Sequence, residues 1–335
     1  MATIVDVAKR AGVAVTTVSR VINGKGQVKE ETRNRVLAAI EELAYRPSPA
    51  ARSLPRKRAH AISVLVPFVT HPSAVARVQG IVHGLRTTNL PVTILDVEKP
   101  AHQSEHLDTL ASSYRPEGAI IISLVPSLGQ LERFGEVGLC PVFIEVDVPE
   151  FSRILIDNRR GGALATEHLL GLGHRRIAFI GDIENGSFGF ESSTKRRKGY
   201  RDALRRAGLE PQPHYERIGP HGRESSRLLA RELFALPEPP SAIFTSSDTQ
   251  AAGVMEVARE VGLKIPRDLS VIGFDDIEIA GYLGLTTVRH PLYESGLIAA
   301  DLVVEHIRDP SCPPRRVEQE LEVIVRSTTG PPSGV

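Results

Sequence analysis

The segment VAVTTVSRVINGK, residues 13–25, carries two unlike faces on one short predicted helix. Its apolar residues recur at helical spacing, which predicts a stripe packed against other elements: Val15, Val18, Val21 and Ile22. The opposite face carries short hydrogen-bonding side chains and one forked cation, namely Thr16, Thr17, Ser19, Arg20 and Asn23. These residue types are weak helix formers, but they are well suited to contact phosphates and base edges in a nucleic-acid groove.

The flanking residues predict a small unit of three helices, near 4–11, 15–23 and 30–44. Thr3 can cap the first helix, and Gly12 gives the backbone freedom that a tight turn between two helices requires. An apolar stripe on the third helix would close a small core: Val36, Leu37, Ile40 and Leu43. A helix, a glycine turn and a second helix with a polar face are typical of a helix-turn-helix DNA-binding unit.

The charge of the chain is unevenly distributed, although the net charge of its 335 residues is only +1. Residues 1–60 contain 12 Lys and Arg but 5 Asp and Glu, whereas the remainder is acidic overall. A basic head on an acidic body predicts that the head binds a polyanion. Cys140 and Cys312 lie far apart and predict no disulfide, and no segment resembles a signal peptide or a membrane span. We therefore expect a cytoplasmic protein that makes no membrane contact.

From residue 61 onward, β-branched apolar runs alternate with amphipathic helical segments. Runs such as AISVLVP (61–67), GAIIISL (118–124) and SAIFTSS (241–247) are typical of parallel strands buried on both faces. Because there are too many such runs for one ordinary sheet, the sequence predicts an α/β body with two doubly wound parallel-sheet subdomains. A ligand in this architecture binds beyond the carboxyl ends of the strands.

The segment SPAARSLPRKRAHA, residues 48–61, leaves two interpretations open. Ser48 and Pro49 favour the start of a helix, and Pro55 ends it after about six residues. A helix this short is marginal in water, so it would form only when it docks on a partner. The composition fits a basic, proline-bounded linker equally well.

Longer motifs in the sequence resemble those of the LacI/GalR family of bacterial transcription regulators, over essentially the whole chain. The motifs that carry the resemblance are TIVDVAKRAGVAVTTVSRVING (3–24), VKEETRNRVLAAIEELAYRPSPAARSL (28–54), IDNRRGGALATEHLLGLGHRRIAFIG (156–181), PSAIFTSSDTQAAGVM (240–255) and LSVIGFDDIEIAGYLGLTTVRHP (269–291). The resemblance implies a homodimer that binds a pseudo-palindromic operator in double-stranded DNA. It also implies a body of the periplasmic-binding-protein type, with a small-molecule effector in its cleft.

The same resemblance implies roles for particular residues of the head. The implied base contacts are Val15, Thr16 and Arg20, and the implied phosphate contacts are Thr17, Ser19 and Asn23. Leu54 would wedge into the central minor-groove step, and Thr3 and Ala51 complete the predicted DNA contacts. Considered without the family, Val15 fits the core as well as it fits a contact with a thymine methyl group.

In the body, the resemblance and the position of strand ends predict an effector site built from both subdomains: Phe68, His71, Asp147, Phe188, Arg196, Ser247 and Asp275. A carboxylate that accepts and a guanidinium that donates suit the hydroxyl groups of a sugar. A sugar phosphate would instead use the whole basic run Lys195–Lys198.

The predicted effector site lacks one aromatic feature of the family, and two aspartates near it are assigned to other roles. The segment HPSA, residues 71–74, lacks the aromatic platform that the family often has there, so a stacking ring would come from Phe68, Phe188, Phe190 or Tyr282. Asp248 and Asp276 are interpreted as helix caps, because a carboxylate before or within a first helical turn more often has that role.

We predict a helix-turn-helix head at 1–46, a hinge helix and linker at 47–60, and an effector-binding and dimerisation body at 61–335. The predicted subdomain limits are about 61–157 with 289–322, and about 158–288 with 323–330. The sequence has no Walker loop, dinucleotide fingerprint, nucleophile elbow or metal-spaced histidines, so we predict no catalysis, cofactor or metal. The alternative is a small-molecule-binding protein without a DNA role, which leaves the basic head unexplained.

Overall fold

A computed structural model describes residues 2–22, 28–45, 58–112, 115–183, 188 and 190–333. Its head consists of helices α1 (Ile4–Ala11), α2 (Val15–Ile22) and α3 (Glu30–Glu42). Small and β-branched side chains form the core of the head, and Val7, Val18 and Val36 are fully buried there. The predicted hinge helix, with Ala51 and Leu54, lies outside the described residues and stays a prediction.

The turn between α1 and α2 has the backbone that the sequence predicts. Gly12 ends α1 with a φ of +66°, a left-handed conformation that glycine adopts without a steric cost. At the other end of α1, Thr3 and Asp6 form a capping box, in which the Thr3 hydroxyl accepts from the Asp6 amide. These two local devices fix the length of the first helix.

Two apolar residues of the head are not where the predicted stripes place them. Leu37 is 49% exposed, because it lies about 100° of helix rotation away from the buried Val36. Val15 is 40% exposed, because it is the first residue of α2 and lies about 120° around the helix from Val21. The core interpretation of Val15 is therefore wrong, and its side chain belongs to the surface.

The body contains two six-stranded sheets, as predicted for two doubly wound subdomains. The first sheet consists of β1 (Arg58–Pro67), β2 (Val92–Val97), β3 (Arg115–Ile122), β4 (Val142–Ile144), β5 (Arg153–Ile156) and β11 (Arg316–Gln319). The second consists of β6 (Ile177–Asp182), β7 (Glu216–Gly219), β8 (Ala242–Thr245), β9 (Ser270–Asp275), β10 (Thr286–Arg289) and β12 (Glu322–Ile324). The strand orders are β11-β5-β4-β3-β1-β2 and β12-β10-β9-β8-β6-β7, and within the two sheets every pairing is parallel except that of β12.

Helices cover both faces of each sheet, which confirms the predicted fold class. They are α4 (Pro72–Leu85), α5 (Pro100–Leu110), α6 (Leu128–Val137), α7 (Asn158–Gly171), α8 (Ser192–Arg206), α9 (Arg223–Phe234), α10 (Asp248–Glu260), α11 (Glu278–Leu283) and α12 (Leu292–Arg308). The pair α4 and α12 covers one face of the first sheet, and α7 and α8 cover one face of the second. Among the described residues, no helix combines the length and apolar character that crossing a membrane requires.

The chain passes between the two sheets at three places. It leaves the first sheet after Ile156, returns to it after Arg289, and leaves it again after Gln319. These places lie within three residues of the predicted subdomain limits, and each subdomain is built from discontinuous segments. The carboxyl ends of the strands in both sheets supply the residues described below.

Replacement of Gly80 by alanine is expected to destabilise the body. A Cβ at Gly80 would lie 2.0 Å from the carbonyl oxygen of Tyr293, so α4 and α12 would have to move apart. Overpacking of this kind costs about 1–3 kcal/mol in unfolding free energy, which chemical denaturation would measure. Gly135→Ala in α6 is the matched control, since a Cβ there meets no atom within 4 Å. Equal stability of the two variants would contradict the proposed close packing of α4 and α12.

Candidate functional site

The outward face of α2 carries the residues predicted to bind DNA. Thr16 and Arg20 are exposed, while Val18 and Val21 on the opposite face are buried in the head core. Thr17 and Ser19 are half-buried at the edge of this face, and Asn23 lies outside the described residues. The hydroxyl of Thr3 serves the cap of α1, and Thr3 itself stays exposed. This arrangement gives α2 one packed face and one polar face that a DNA groove can receive.

Five non-glycine residues with positive φ mark the strand ends of the two subdomains. They are Phe68 (+48°) after β1, Ser123 (+53°) after β3, Glu145 (+62°) after β4, Asp275 (+113°) at the end of β9 and Asp276 (+55°) after it. Such a conformation costs about 1–3 kcal/mol per residue and is typical of ligand-binding sites. The backbone strain therefore lies where this architecture binds ligands.

Arg196 is held in one orientation at the centre of this region. Its Nε donates to Asn158 Oδ1 at 2.8 Å, and its Nη1 donates to the carbonyl oxygen of Ser246 at 2.5 Å. Its Cζ lies 3.6 Å from the centre of the Phe274 ring, and its Nη2 lies 3.7 Å from Asp275 Oδ1. The side chain is 8% exposed, so this guanidinium and the Asp275 carboxylate form a buried ion pair. The structure brings these two predicted site residues together.

The N-subdomain contributes a second buried ion pair that sequence reasoning missed. Arg77 Nη2 of α4 lies 2.7 Å from Glu145 Oε2, directly after β4. Burial alone would raise the pKa of Glu145, but the guanidinium of Arg77, with smaller contributions from His290 and Arg196, lowers this pKa to about 2. The carboxylate is therefore charged at neutral pH.

His290 lies between the two ion pairs, at the second crossover of the chain. Its Nε2 is 3.9 Å from Glu145 Oε1, and its Nδ1 is 3.7 Å from Asp275 Oδ1. Burial lowers the pKa of His290 below its usual value, despite the nearby Asp275 carboxylate. The ring is therefore a neutral imidazole between two carboxylates.

Asp147 is not part of this group. Its carboxylate lies 2.5 Å from Arg153 Nε and is 57% exposed, and no described contact joins it to Arg196 or Asp275. The prediction that Asp147 converges on these residues is not supported, because β4 ends at Ile144 and the first carboxylate beyond it is Glu145. A prediction that ended β4 at Ile144 would have selected Glu145, because Glu145 is the next residue.

Aromatic rings from both subdomains lie together beside the strand ends. The rings of Phe68 and His71 are stacked with centres 5.0 Å apart, and Phe68 meets the edge of Phe188 at 5.5 Å. Phe188 in turn stacks on Phe190 at 5.3 Å. Phe68, Phe188 and Phe190, three of the four rings that the sequence offered as a stacking surface, are thus neighbours. Tyr282 is not among these neighbours: the residue is 79% exposed and its hydroxyl donates to Glu278.

Asp182, which was not predicted as a site residue, organises the C-subdomain side beside these rings. Its carboxylate accepts from Gln250 Nε2 at 2.9 Å and from Ser246 Oγ at 3.3 Å, and it contacts His221 Nδ1 at 3.1 Å. Burial alone would lower the pKa of His221, but Asp182 outweighs this effect and raises it. The ring of His221 lies 5.3 Å from that of His71, whose pKa burial lowers.

The serine and aspartates near α10 have roles that differ from those predicted. Ser247 is the N-cap of α10, and its hydroxyl accepts from the Gln250 amide rather than reaching Arg196. Asp248 is not a cap, because its carboxylate accepts from the Ile277 amide and the Thr287 hydroxyl.

Asp276 also has a role other than the predicted cap, since it pairs with Arg326 at 2.7 Å. Burial, and next the Asp275 carboxylate, raise the pKa of Asp248 well above its usual value. Asp248 and Asp276 thus brace the strained turn that carries Asp275.

Comparison with known proteins identifies the family. Residues 3–48 match the model of bacterial regulatory proteins of the lacI family, and residues 166–329 match that of a periplasmic binding protein-like domain. The ribose operon repressor of Escherichia coli (strain K12) is 34% identical over 328 residues, which are 95% of this chain and 97% of that repressor. The chain belongs to the lacI family of bacterial regulatory proteins.

Solved lacI-family structures have the same fold. The lac repressor dimer bound to operator and the anti-inducer ONPF matches with a TM-score of 0.79 and 26% identity, over 98% of this chain and 99% of that one. A lacI-family regulator from Enterococcus faecium with bound ribose matches with a TM-score of 0.70 and 25% identity, over 81% and 99% of the two chains.

This lacI-family chain is therefore a DNA-binding transcription regulator with an effector-binding body, and the predicted function class is confirmed. The particular residues that contact DNA or effector remain predictions.

Proposed function

We propose that this chain is a repressor that acts as a homodimer on a pseudo-palindromic operator, and that an uncharged monosaccharide in the cleft sets its operator affinity. The proposal rests on one observation: among the described residues, three pairs of opposite charge lie at or beside the strand ends of the two subdomains. The pairs are Arg77 with Glu145, Arg196 with Asp275, and His221 with Asp182. Each of these pairs is electrically balanced before a ligand enters.

A balanced site favours a ligand that brings hydroxyl groups but no charge. A buried net charge on the ligand would remain uncompensated, and an uncompensated charge in a low-dielectric site is costly. Sugar hydroxyls can both donate to a carboxylate and accept from a guanidinium, so Asp275 and Arg196 can each bind one without losing their charge balance. Phe68, His71 and Phe188 offer an apolar face to the C–H side of the sugar ring.

The basic run Lys195–Lys198 does not favour a sugar phosphate. Lys195 is exposed and pairs with Glu191 at 2.8 Å, and Lys198 is also exposed. Arg197 lies 3.8 Å from Glu216 on β7. Of the four residues, Arg196 alone lies beside Asp275, and this carboxylate already compensates the charge of Arg196. A phosphate dianion would find too little positive charge here.

The relatives indicate which sugar to test first. One is named for the ribose operon and another is solved with bound ribose, so D-ribose is the first candidate for this chain. The lac repressor that shares the fold is a dimer on its operator, which supports the proposed assembly. Because the partner is DNA, we place the action of the protein in the cytoplasm, and we propose no catalytic step.

Calorimetric titration of the full chain with D-ribose tests the proposed ligand. We expect saturable binding that changes little with salt, since no net charge is transferred. Asp275→Asn is expected to weaken binding about tenfold or more, because a hydrogen bond to a charged group is lost. Asp108→Asn is the matched control, as that carboxylate pairs with Arg133 on the outside of the body.

Tighter binding of D-ribose 5-phosphate than of D-ribose would contradict the neutral-ligand proposal. Binding of a nucleobase such as hypoxanthine, with no binding of any monosaccharide, would overturn the sugar class altogether. Equal affinities of Asp275→Asn and the wild-type chain would show that the ligand lies elsewhere.

A further inference from the structure

Five side chains of alternating charge and polarity run across the floor of the cleft, from one subdomain to the other. In order they are Arg77, Glu145, His290, Asp275 and Arg196. The successive polar atoms are separated by 2.7, 3.9, 3.7 and 3.7 Å. All five side chains are at most 14% exposed, so solvent screens their interactions only weakly. We call this set the floor chain.

The floor chain has its two ends in different subdomains. Arg77 lies on α4, which packs on the first sheet, and Asp275 lies at the end of β9 in the second sheet. His290 is on neither sheet, because it lies in the crossover between β10 and α12. The middle member of the chain is thus a residue of the connection about which the subdomains would turn.

The carboxylate contacts on either side of the neutral His290 ring are longer than hydrogen bonds, and Arg77 Nη2 lies 3.5 Å from His290 Nε2. At 3.7 and 3.9 Å the atoms are too far apart for a hydrogen bond. Among the described residues, Arg77 Nε, Glu145 Oε1 and His290 Nδ1 are buried without a hydrogen-bond partner. The neutral ring has one N–H, so a shift of about 1 Å would let His290 Nδ1 donate to Asp275 Oδ1 while Nε2 accepts from Arg77 Nη2, which gives the floor chain a second arrangement.

A shift at His290 would reach α4 as a whole. Helix α12 begins two residues after His290, and it packs against α4 through glycines on both sides. A Cβ at Gly296 would lie 2.2 Å from the carbonyl oxygen of Arg77, so the two backbones are in direct contact. Tightly packed backbones of this kind move together rather than deforming.

We propose that His290 couples the ligand-binding carboxylate of Asp275 to helix α4 of the N-subdomain, through Glu145 and Arg77. Asp275 and His290 contact each other directly, and a change in the charge or position of Asp275 alters the contacts of His290 with Glu145 and with Arg77. Arg77 is paired with Glu145 and belongs to α4, so the change moves the helix. His290, Glu145 and Arg77 are positioning residues in this scheme. The inference rests on the proposed function in one respect, that the effector binds Asp275.

Hydrogen–deuterium exchange on the full chain, without any ligand, tests this coupling. Asp275→Asn removes the charge at one end of the floor chain and serves as the perturbation. We expect amide exchange in α4 to accelerate about fivefold or more, the lower end of typical coupling between sites. Helix α5, on the other face of the same sheet, is the internal reference and is expected to keep its exchange rate.

The faster amide exchange in α4 is expected to disappear when the contacts of the floor chain are interrupted. His290→Phe keeps an aromatic ring and removes both nitrogens, and Glu145→Gln keeps the shape but removes the charge that holds Arg77 beside His290. In either background, adding Asp275→Asn should change exchange in α4 less than twofold. His306→Phe is the matched control, since it is another buried histidine of the same region, bonded to Ser152, and outside the floor chain. In that background the fivefold response should persist.

Two outcomes would overturn the coupling. One is an equal α4 response to Asp275→Asn with and without His290→Phe and Glu145→Gln, and the other is no α4 response in the wild-type background. Should His290→Phe fail to fold by circular dichroism, Glu145→Gln decides the question alone. Because no ligand is used, failure of D-ribose to bind would refute the proposed effector and leave this result standing.

Discussion

Arg20→Ala is expected to weaken operator binding by about 1–3 kcal/mol per half-site, and twice that for a dimer that reads both halves. The side chain of Arg20 is exposed on the face of α2 opposite the buried Val18 and Val21, where a guanine edge in the major groove can be reached. A guanidinium that donates two hydrogen bonds to one guanine specifies that base, so the preference at one symmetric operator position should relax.

Fluorescence anisotropy on an operator selected from randomised DNA, with each position then varied, measures this effect. Arg10→Ala is the matched control, because Arg10 is an exposed arginine of the same head that pairs with Glu42 of α3. A uniform loss of affinity on all sequences, with a shallower salt dependence, would make Arg20 a phosphate contact instead. Unchanged affinity on every operator variant would remove it from the interface.

Arg196→Ala is expected to lower the unfolding free energy of the body by about 3 kcal/mol or more, and to abolish effector binding. The substitution leaves the Asp275 carboxylate without its guanidinium and leaves the acceptors Asn158 Oδ1 and Ser246 O without their donor. Groups that are buried and unpaired in this way carry their full desolvation cost. The cation over the Phe274 ring is also lost.

Urea denaturation and calorimetry on the same preparation separate the two effects of Arg196→Ala. Lys195→Ala is the control from the adjacent position, since Lys195 is exposed and its pair with Glu191 should contribute little. Arg196→Lys keeps the positive charge but lacks the planar guanidinium with its several N–H donors. This variant should recover part of the stability and little of the effector binding. A stability loss below about 1 kcal/mol would show that the buried pair is not as tight as its surroundings imply.

The order of elements in both parts of the protein could be predicted from the sequence, because the signals that define it are local. Apolar spacing, the cap at Thr3 and the glycine at position 12 define α1 and α2 to within a residue of the structure. β-branched runs similarly locate the long central strands. The short β5, β7, β10, β11 and β12 gave weaker signals, because strands of three or four residues at an edge or a crossover have little periodicity to detect.

The composition of the site could be predicted only where a residue stands in a recognisable motif. Arg196 and Asp275 were found in this way, and the structure brings them together. Glu145 was missed in favour of Asp147, because the positive φ of Glu145 breaks the side-chain alternation that a strand would continue. Arg77 was missed because a single arginine in a predicted helix is ordinarily interpreted as a solvent-exposed charge.

By itself the sequence determined that this protein has a helix-turn-helix head and two parallel α/β sheets, since helical and strand periodicity, caps and turn glycines act over a few residues. Only the tertiary structure decided which charges face one another across the cleft. His290 lies 145 residues beyond Glu145 in the sequence, yet the two side chains are in contact, because the chain crosses between the two sheets at His290. Long-range crossovers and strand-end turns place such residues, and neither has a local sequence period.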